Sequence, residues 1–252
     1  MKRIVIIGAS SGLGLKISMI FAETGWKVAM AARRTEPLQT VKNQYPDSVV
    51  FSKIDITTEN SGSLLTELIH KNGGADVILL AAGIGWQNAE LDMDKDLKTV
   101  NTNSAAMVRI VNTAYHYFVN ECNGNGQIAV ITSIAGTMGL GISATYSATK
   151  RMQSTYLEAI EQLAHINGYN ITVTDIRPGF VKTALLDPNK KYPMLMNVDC
   201  AAKKIVNAII KKKSVAYIDW KWHIVVLLWK LIPRFIWTKL KIKIDSKQTL
   251  KL

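Results

Sequence analysis

The run Ile4-Val5-Ile6-Ile7-Gly8-Ala9-Ser10-Ser11-Gly12-Leu13-Gly14 decides the reading of this chain. Four consecutive apolar, mostly β-branched residues read as a strand covered on both faces. Gly8 ends that strand, and an apolar-periodic helical pattern starts near residue 12. Three glycines in such a turn have separate uses. Gly8 allows the tight turn, Gly12 lets a pyrophosphate approach the backbone, and Gly14 lets the helix pack close to the sheet. The N–H groups free at the helix start, with the helix dipole, favour an anion there. The spacing is GxxxGxG rather than GxGxxG, and an ordinary tight strand–helix turn would use similar residues. Its position straight after the first strand, with a second strand about 13 residues on, favours dinucleotide binding.

Working outward, strand-like segments recur at 3–7, 27–32, 48–54, 76–81, 127–132, 170–176 and, more weakly, 214–218. Helical patterns lie near 12–24, 34–44, 58–71, 93–120, 144–167 and 199–212. This alternation predicts right-handed βαβ units in an α/β fold, a Rossmann-type doubly wound parallel sheet of about seven strands with helices on both faces. One domain, residues 1–218, accounts for it, followed by a C-terminal extension over 219–252.

The composition of the 252 residues agrees: 48% apolar and 20% charged is the balance of a folded globular chain. Two cysteines, Cys122 and Cys200, without CxxC spacing or a nearby histidine cluster, exclude a disulfide framework and a zinc site. Met1-Lys2-Arg3 ahead of an apolar run could open a signal peptide. Gly8 ends that run too soon and no cleavage site follows, so a cytoplasmic protein is expected. No run of about 20 apolar residues suggests a membrane-spanning helix.

The net charge is +12, a surplus that suggests a polyanionic partner. It is not evenly spread. Residues 1–202 hold 18 basic and 17 acidic side chains, whereas residues 203–252 hold 13 basic and 2 acidic. The body of the chain is therefore near neutral, and nucleic acid is not an expected partner.

The second strand ends at Ala32, where an acidic side chain would accept bonds from the adenosine ribose. Arg33 and Arg34 follow instead. With no carboxylate to repel a 2′-phosphate and two guanidinium groups able to hold it, NADP(H) is preferred, with NAD(H) still possible. The alternative is a pair of solvated loop arginines.

Tyr146-Ser147-Ala148-Thr149-Lys150 sets a phenol and an ammonium four residues apart on one helix face. A nearby cation stabilises phenolate and lowers a tyrosine pKa from about 10 toward the working range. Such a tyrosine can give a proton to a carbonyl oxygen, or take it back. YxxxK alone says little, since Tyr217 and Lys221 repeat it by chance. Only the first pair has a serine, Ser133, thirteen residues upstream at the end of a buried strand, the edge where ligands of such folds bind. The bland alternatives are a core tyrosine, a surface lysine and a helix-capping serine.

Taken together, these motifs resemble the short-chain dehydrogenase/reductase family in its single-domain branch, over roughly residues 3–218. The resemblance implies an oxidoreductase that interconverts a ketone or aldehyde and an alcohol with a nicotinamide cofactor. It implies Tyr146 as general acid/base and Lys150 as the group that bonds the nicotinamide ribose and lowers the tyrosine pKa. Ser133 would position the substrate oxygen. The family's active-site asparagine matches Asn101 in Val100-Asn101-Thr102-Asn103, where it would hold a water linking Lys150 to solvent. Implied cofactor contacts are Gly8, Ser10, Ser11, Gly12, Leu13 and Gly14, Asp55 and Ile56 on the adenine side, Ala82 and Gly83, then Pro178, Gly179, Val181 and Thr183. Tyr146, Lys150 and the two arginines complete the set. Two departures stand out: Ile7 replaces the threonine usual before the first glycine, and Leu80-Ala81-Ala82-Gly83 lacks both asparagines of the family's Asn-Asn-Ala-Gly. The family also implies a homodimer or homotetramer.

Substrate contacts are expected near 85–95, near 136–143 and from Phe180 to Asn197, stretches that carry Trp86, Met138, Leu140, Leu185, Leu186, Tyr192, Met194, Leu195 and Met196. A flexible, Met-rich apolar lid suits a lipid-like carbonyl or alcohol, unless these residues only pack the lid. Two other functions fit the same features. One is a 3-oxoacyl-carrier-protein-type reductase that uses basic charge to meet an acidic carrier. The other is a non-catalytic NADP(H)-binding sensor.

The extension holds Trp220, Trp222, Trp229 and Trp237, and residues 224–237 are apolar nearly all round with lysines on both sides. Fourteen residues do not span a membrane, and Pro233 breaks a helix there. Tryptophan and lysine around a short apolar core suit contact with a membrane surface. A cap over the pocket or an arm on a second subunit would use the same residues.

Overall fold

The structure, a computed structural model, describes residues 1–242. Among the described residues, seven strands form one sheet: β1 (Arg3–Ile7), β2 (Lys27–Ala32), β3 (Val49–Lys53), β4 (Val77–Leu80), β5 (Asn125–Ile131), β6 (Asn170–Pro178) and β7 (Val215–Ile218). Their order is β3-β2-β1-β4-β5-β6-β7, and every neighbouring pair is parallel. The strand order reverses between β1 and β4. Their carboxyl ends therefore open the crevice in which doubly wound folds bind ligands.

All seven expected strands are present. β5 starts at Asn125 and β6 runs on to Pro178 because Asn125 pairs with Asn170 and Pro178 with Ile218. Pairing across the sheet extends both strands beyond what local patterning marks.

Alternate side chains go to opposite faces. Val5 and Ile7 join Leu65, Leu68, Met107, Ile110 and Leu157 in one core. Ile4 and Ile6 join Ile17, Phe21, Leu38, Ala201 and Ile205 in the other. The first core is covered by α3 (Ser61–Lys71), α5 (Ala106–Glu121) and α6 (Ala144–Ile166), the second by α1 (Gly12–Glu23), α2 (Glu36–Gln44) and α7 (Val198–Ile210). Each fully buried Ile or Leu contributes about 1.5–3 kcal/mol relative to exposure, which is why β1 and β4 carry no polar alternation.

The single helix expected over 93–120 is interrupted. α4 (Met93–Val100) passes through a π turn, Asn101–Ala105, into α5. A π turn inserts extra backbone into a helix and rotates the residues beyond it.

The extension forms α8 (Trp220–Leu231) and a short α9 (Arg234–Trp237), with the break at Pro233 that the sequence predicts. Trp222 and Val226 on α8 are buried with Ile134 against Phe180, Tyr217 and Trp229. The Trp237 indole donates to the Gly139 carbonyl at 2.7 Å. The inner face of the arm is thus a wall of the loops that follow β5 and β6. Among the described residues, no helix is long and apolar enough to cross a membrane. Residues 243–252, with three of the tail's lysines, lie outside the described residues.

Candidate active site

The glycine turn is built as the sequence suggests. Gly8 has φ +90°, and a Cβ there would stand 2.5 Å from the Ala82 backbone nitrogen. A Cβ on Gly14 would meet the Gly8 carbonyl oxygen at 2.3 Å. No side chain fits at either position, so the ends of β1 and β4 and the start of α1 close on one another. Across the crevice, Thr183 is the nearest neighbour of Gly12, 3.4 Å from where its Cβ would be. The loop after β6 therefore reaches the phosphate turn. Val181 anchors that loop: it is buried and bridges to Met196.

On the adenine side, Asp55 folds into its own turn. Its Oδ1 accepts from the Thr57 backbone N–H at 3.0 Å and from the Thr57 hydroxyl at 2.7 Å. Burial pushes the Asp55 pKa up, but these bonds and the nearby Arg33 charge leave it below the usual carboxylate range. Arg33 and Arg34 are exposed beyond β2. Ile56 buries its side chain in the core, and its carbonyl accepts from Arg109 at 3.3 Å.

Ser133, Tyr146 and Lys150, the residues expected to react, meet at the carboxyl ends of β5 and β4. Ser133 follows β5, and its hydroxyl oxygen accepts from the Ala135 N–H at 3.1 Å. Tyr146 sits in the first turn of α6 with its ring packed over Gly85, where a Cβ would come within 2.3 Å of the ring. Burial raises the Tyr146 pKa above the ordinary tyrosine value, and its hydrogen bond with Ser133 opposes that shift. The lysine-induced lowering expected from the sequence does not prevail. Lys150 Nζ stands 5.7 Å from the centre of the Tyr146 ring, and desolvation of the phenol outweighs the rest.

Lys150 is only 3% exposed. Its Nζ donates to the Ile131 carbonyl at 3.1 Å and to Gln153 Oε1 at 3.0 Å. Burial lowers its pKa to about 8, with Asp175 pulling the other way. Asp175 accepts from Thr132 and pairs with Arg177 at 2.6 Å. The chance pair Tyr217 and Lys221 builds no such site. The Tyr217 ring stacks on His223 at 4.6 Å, its hydroxyl accepts from Arg177 at 3.0 Å, and Lys221 is exposed.

One expected residue is misplaced. Asn101 is exposed at the start of the π turn, away from Lys150, and Asn103 occupies the inward position instead. Asn103 Oδ1 accepts from the Ile84 N–H at 2.9 Å, and its Nδ2 donates to the Ile84 carbonyl at 2.7 Å and to the Thr149 hydroxyl at 3.2 Å. The reason is helical phase. Two residues apart on a helix face roughly opposite ways, at about 3.6 residues per turn. Thr99, Asn103, Ala106, Met107 and Ile110 form the buried stripe. Their spacing in the sequence is the signal that could have found Asn103.

The crevice fits a nicotinamide dinucleotide. Gly83 leaves open the space over Lys150: a Cβ there would lie 3.4 Å from both Lys150 Nζ and Asn103 Oδ1. The bare turn at Gly8–Gly14, with Thr183 facing it, lies at the carboxyl end of the same sheet.

A sequence profile described as short chain dehydrogenase matches residues 2–193. The chain belongs to the short-chain dehydrogenase family. An uncharacterized oxidoreductase of Mycobacterium tuberculosis is 30% identical over 245 residues, covering 92% of this chain and 95% of the relative. Among solved structures, ElxO with NADP bound has a TM-score of 0.77 at 22% identity, covering 88% of this chain and 98% of that one. A short-chain dehydrogenase from Sphingobium yanoikuyae in complex with NADPH has a TM-score of 0.76 at 18% identity, covering 93% and 97%. These neighbours share the fold. As a short-chain dehydrogenase the chain is an oxidoreductase that uses a nicotinamide cofactor and acts on a small molecule.

The substrate side is apolar but open. Trp86, Leu185, Met194 and Leu195 are exposed around the mouth, and Tyr192 packs on Phe180 at 5.0 Å between ring centres. Lys190 on the lid bonds Gln87 on the loop after β4, bridging the two sides of the mouth. Met138, Leu140, Leu186 and Met196 are partly covered. No local pattern in the sequence marks Trp222 as part of this wall, yet a Cβ on Gly179 would collide with its indole at 2.0 Å. Pro178 is buried just before that contact.

Proposed function

We propose that this protein is an NADP(H)-dependent reductase of a hydrophobic ketone or aldehyde, or the reverse dehydrogenase. The observation that carries this reading is the Ser133–Tyr146–Lys150 cluster at the carboxyl edge of the sheet, beneath a mouth rimmed by Trp86, Leu185, Met194 and Leu195. The bound cofactor supplies or accepts the hydride. The chain's own residues handle the proton. The Ser133 hydroxyl donates to the substrate carbonyl oxygen and orients it toward Tyr146. The raised pKa of Tyr146 keeps its phenol protonated and ready to pass that proton to the same oxygen. Lys150, still cationic below about pH 8, stabilises the phenolate left behind.

The turn at Gly8, Ser10, Ser11, Gly12, Leu13 and Gly14 would hold the pyrophosphate, and Asp55 and Ile56 the adenine side. Ala82, Gly83, Pro178, Gly179, Val181 and Thr183 would line the nicotinamide end. The choice of NADP(H) over NAD(H) rests on exposed Arg33 and Arg34 without a carboxylate at Ala32. NADPH consumption across a panel of aliphatic and aromatic ketones tests the assignment. Tight NADPH binding without turnover on any of them would favour a cofactor-sensing role instead.

Residues 1–218 are the proposed catalytic unit and 219–252 its extension. A homo-oligomer is supported by exposed Met93, Leu97 and Val100 on α4 beside Met152 on α6, and light scattering in solution tests it. Peripheral contact with an anionic membrane is supported by the outer face of α8. Trp220, Ile224, Leu227, Leu228 and Leu231 are exposed in one stripe opposite buried Trp222 and Val226, and Lys221 and Lys230 flank it. Flotation with phosphatidylserine vesicles, with and without residues 219–252, tests that contact.

A further inference from the structure

Gln153 is 1% exposed, inside the same helix that carries Tyr146 and Lys150. A primary amide in such a place costs free energy unless its groups are paired. Both ends are paired here. Oε1 accepts from Lys150 Nζ at 3.0 Å, and Nε2 donates to the main-chain carbonyl of Asn103 at 2.7 Å. That carbonyl lies in the π turn, where the regular helical ladder is broken.

The lysine ammonium has three N–H donors. Ile131 takes one and Gln153 takes another. The third is left on the side of Gly83, where a Cβ, if present, would make ordinary contact with Nζ at 3.4 Å. Two fixed acceptors on different elements, one at the end of β5 and one on α6, set where the third bond points. Tyr146 on α6 and Asp175 with its partner Arg177 on β6 are the titratable and charged groups that face this ammonium.

We propose that Gln153 is a positioning residue for Lys150, tying its ammonium to the π turn and aiming its remaining N–H at the cofactor crevice. An amide accepts and donates but does not hand a proton along as a water does. Gln153 therefore closes the path from Lys150 toward Asn103 and leaves proton exchange at Lys150 to the crevice side. The proposal rests on the reductase reading for its kinetic consequence and on geometry alone for its structural one.

The test compares Gln153→Glu and Gln153→Leu with the wild type, by the pH dependence of kcat/KM with NADPH and by titration of the Lys150 Cε resonance in ¹³C-lysine-labelled protein. Removing the acceptor in Q153L lowers the Lys150 titration midpoint by about one pH unit. A carboxylate in Q153E raises it by about one to three units. In active protein the alkaline limb of kcat/KM moves in the same two directions, and KM for NADPH rises in Q153L. Melting temperatures confirm that both variants fold. If neither variant moves the Lys150 midpoint while both lose thermal stability, Gln153 is packing alone and the proposal fails. If the resonance shifts as expected but no carbonyl compound is turned over, the positioning role stands and the reductase reading fails.

Discussion

Residues 1–218 and the arm at 219–242 are both rich in apolar side chains, yet they bury them to different extents. In the middle of the sheet the strands are covered on two faces, so Val5 and Ile6 are equally inaccessible although they point in opposite directions. In α8 only one face has a partner. Trp222 and Val226 are locked against the loops after β5 and β6, while Leu231 is 76% exposed. The arm carries five basic side chains against one acidic, and Lys203, Lys204, Lys211, Lys212 and Lys213 add to that surplus from the end of the body. The same composition therefore serves enclosure in one region and both attachment and presentation in the other. The attached face packs on the loops after β5 and β6, which border the candidate site, so the arm belongs to that wall as well as to the outer surface.

The sharpest way to break this comparison is at the chemistry in the body. Tyr146→Phe is expected to lower turnover by about 10²–10⁴-fold, the usual contribution of a positioned proton donor, with NADPH affinity unchanged by fluorescence titration. Retained turnover would remove Tyr146 from its role. Next in size is Trp222→Ala, which empties the contact beside Gly179. A loss of about 3–5 kcal/mol is expected for a buried tryptophan, read by denaturant unfolding. A much smaller loss would mean that the arm is only loosely attached.

A smaller effect is expected at the cofactor's far end. Arg33→Ala with Arg34→Ala should reduce the preference for NADPH over NADH by about tenfold, as the loss of one charge-assisted bond predicts. An unchanged preference would return both arginines to the status of solvated loop residues. The smallest stability change belongs to the outer face of the arm. Leu231→Ser should shift unfolding by no more than about 0.5 kcal/mol, yet weaken flotation with anionic vesicles. Destabilisation comparable to that of Trp222→Ala would show that the outer face is covered after all.

Several parts of the site are legible in local sequence because each depends on its own neighbours. Gly8 turns with φ +90° and Gly14 closes on the Gly8 carbonyl, and glycine is the residue that permits both. Tyr146 and Lys150 share a face because helix spacing puts them there. Asn101, which is exposed, is the opposite case. A continuous helix and two candidate asparagines leave the inward one undecided until the buried stripe of Thr99, Asn103, Ala106 and Ile110 fixes the phase. The direction of the Tyr146 pKa shift escapes the sequence in the same way. Proximity of a lysine is visible there, but desolvation is not.

By itself the sequence determined the alternation of strands and helices, the glycine turn, the serine–tyrosine–lysine set and the segregation of charge into the tail. These depend on local periodicity, on spacings of at most about a dozen residues, or on composition. Only the tertiary structure decided that Gln153 joins Lys150 to Asn103, that Asp175 and Arg177 stand behind that lysine, and that Trp222 fills the space over Gly179. These pairings bring together elements distant in the chain or fix which side of a helix faces inward. Burial and hydrogen-bond geometry at such positions exist only once the sheet and its covering helices have assembled.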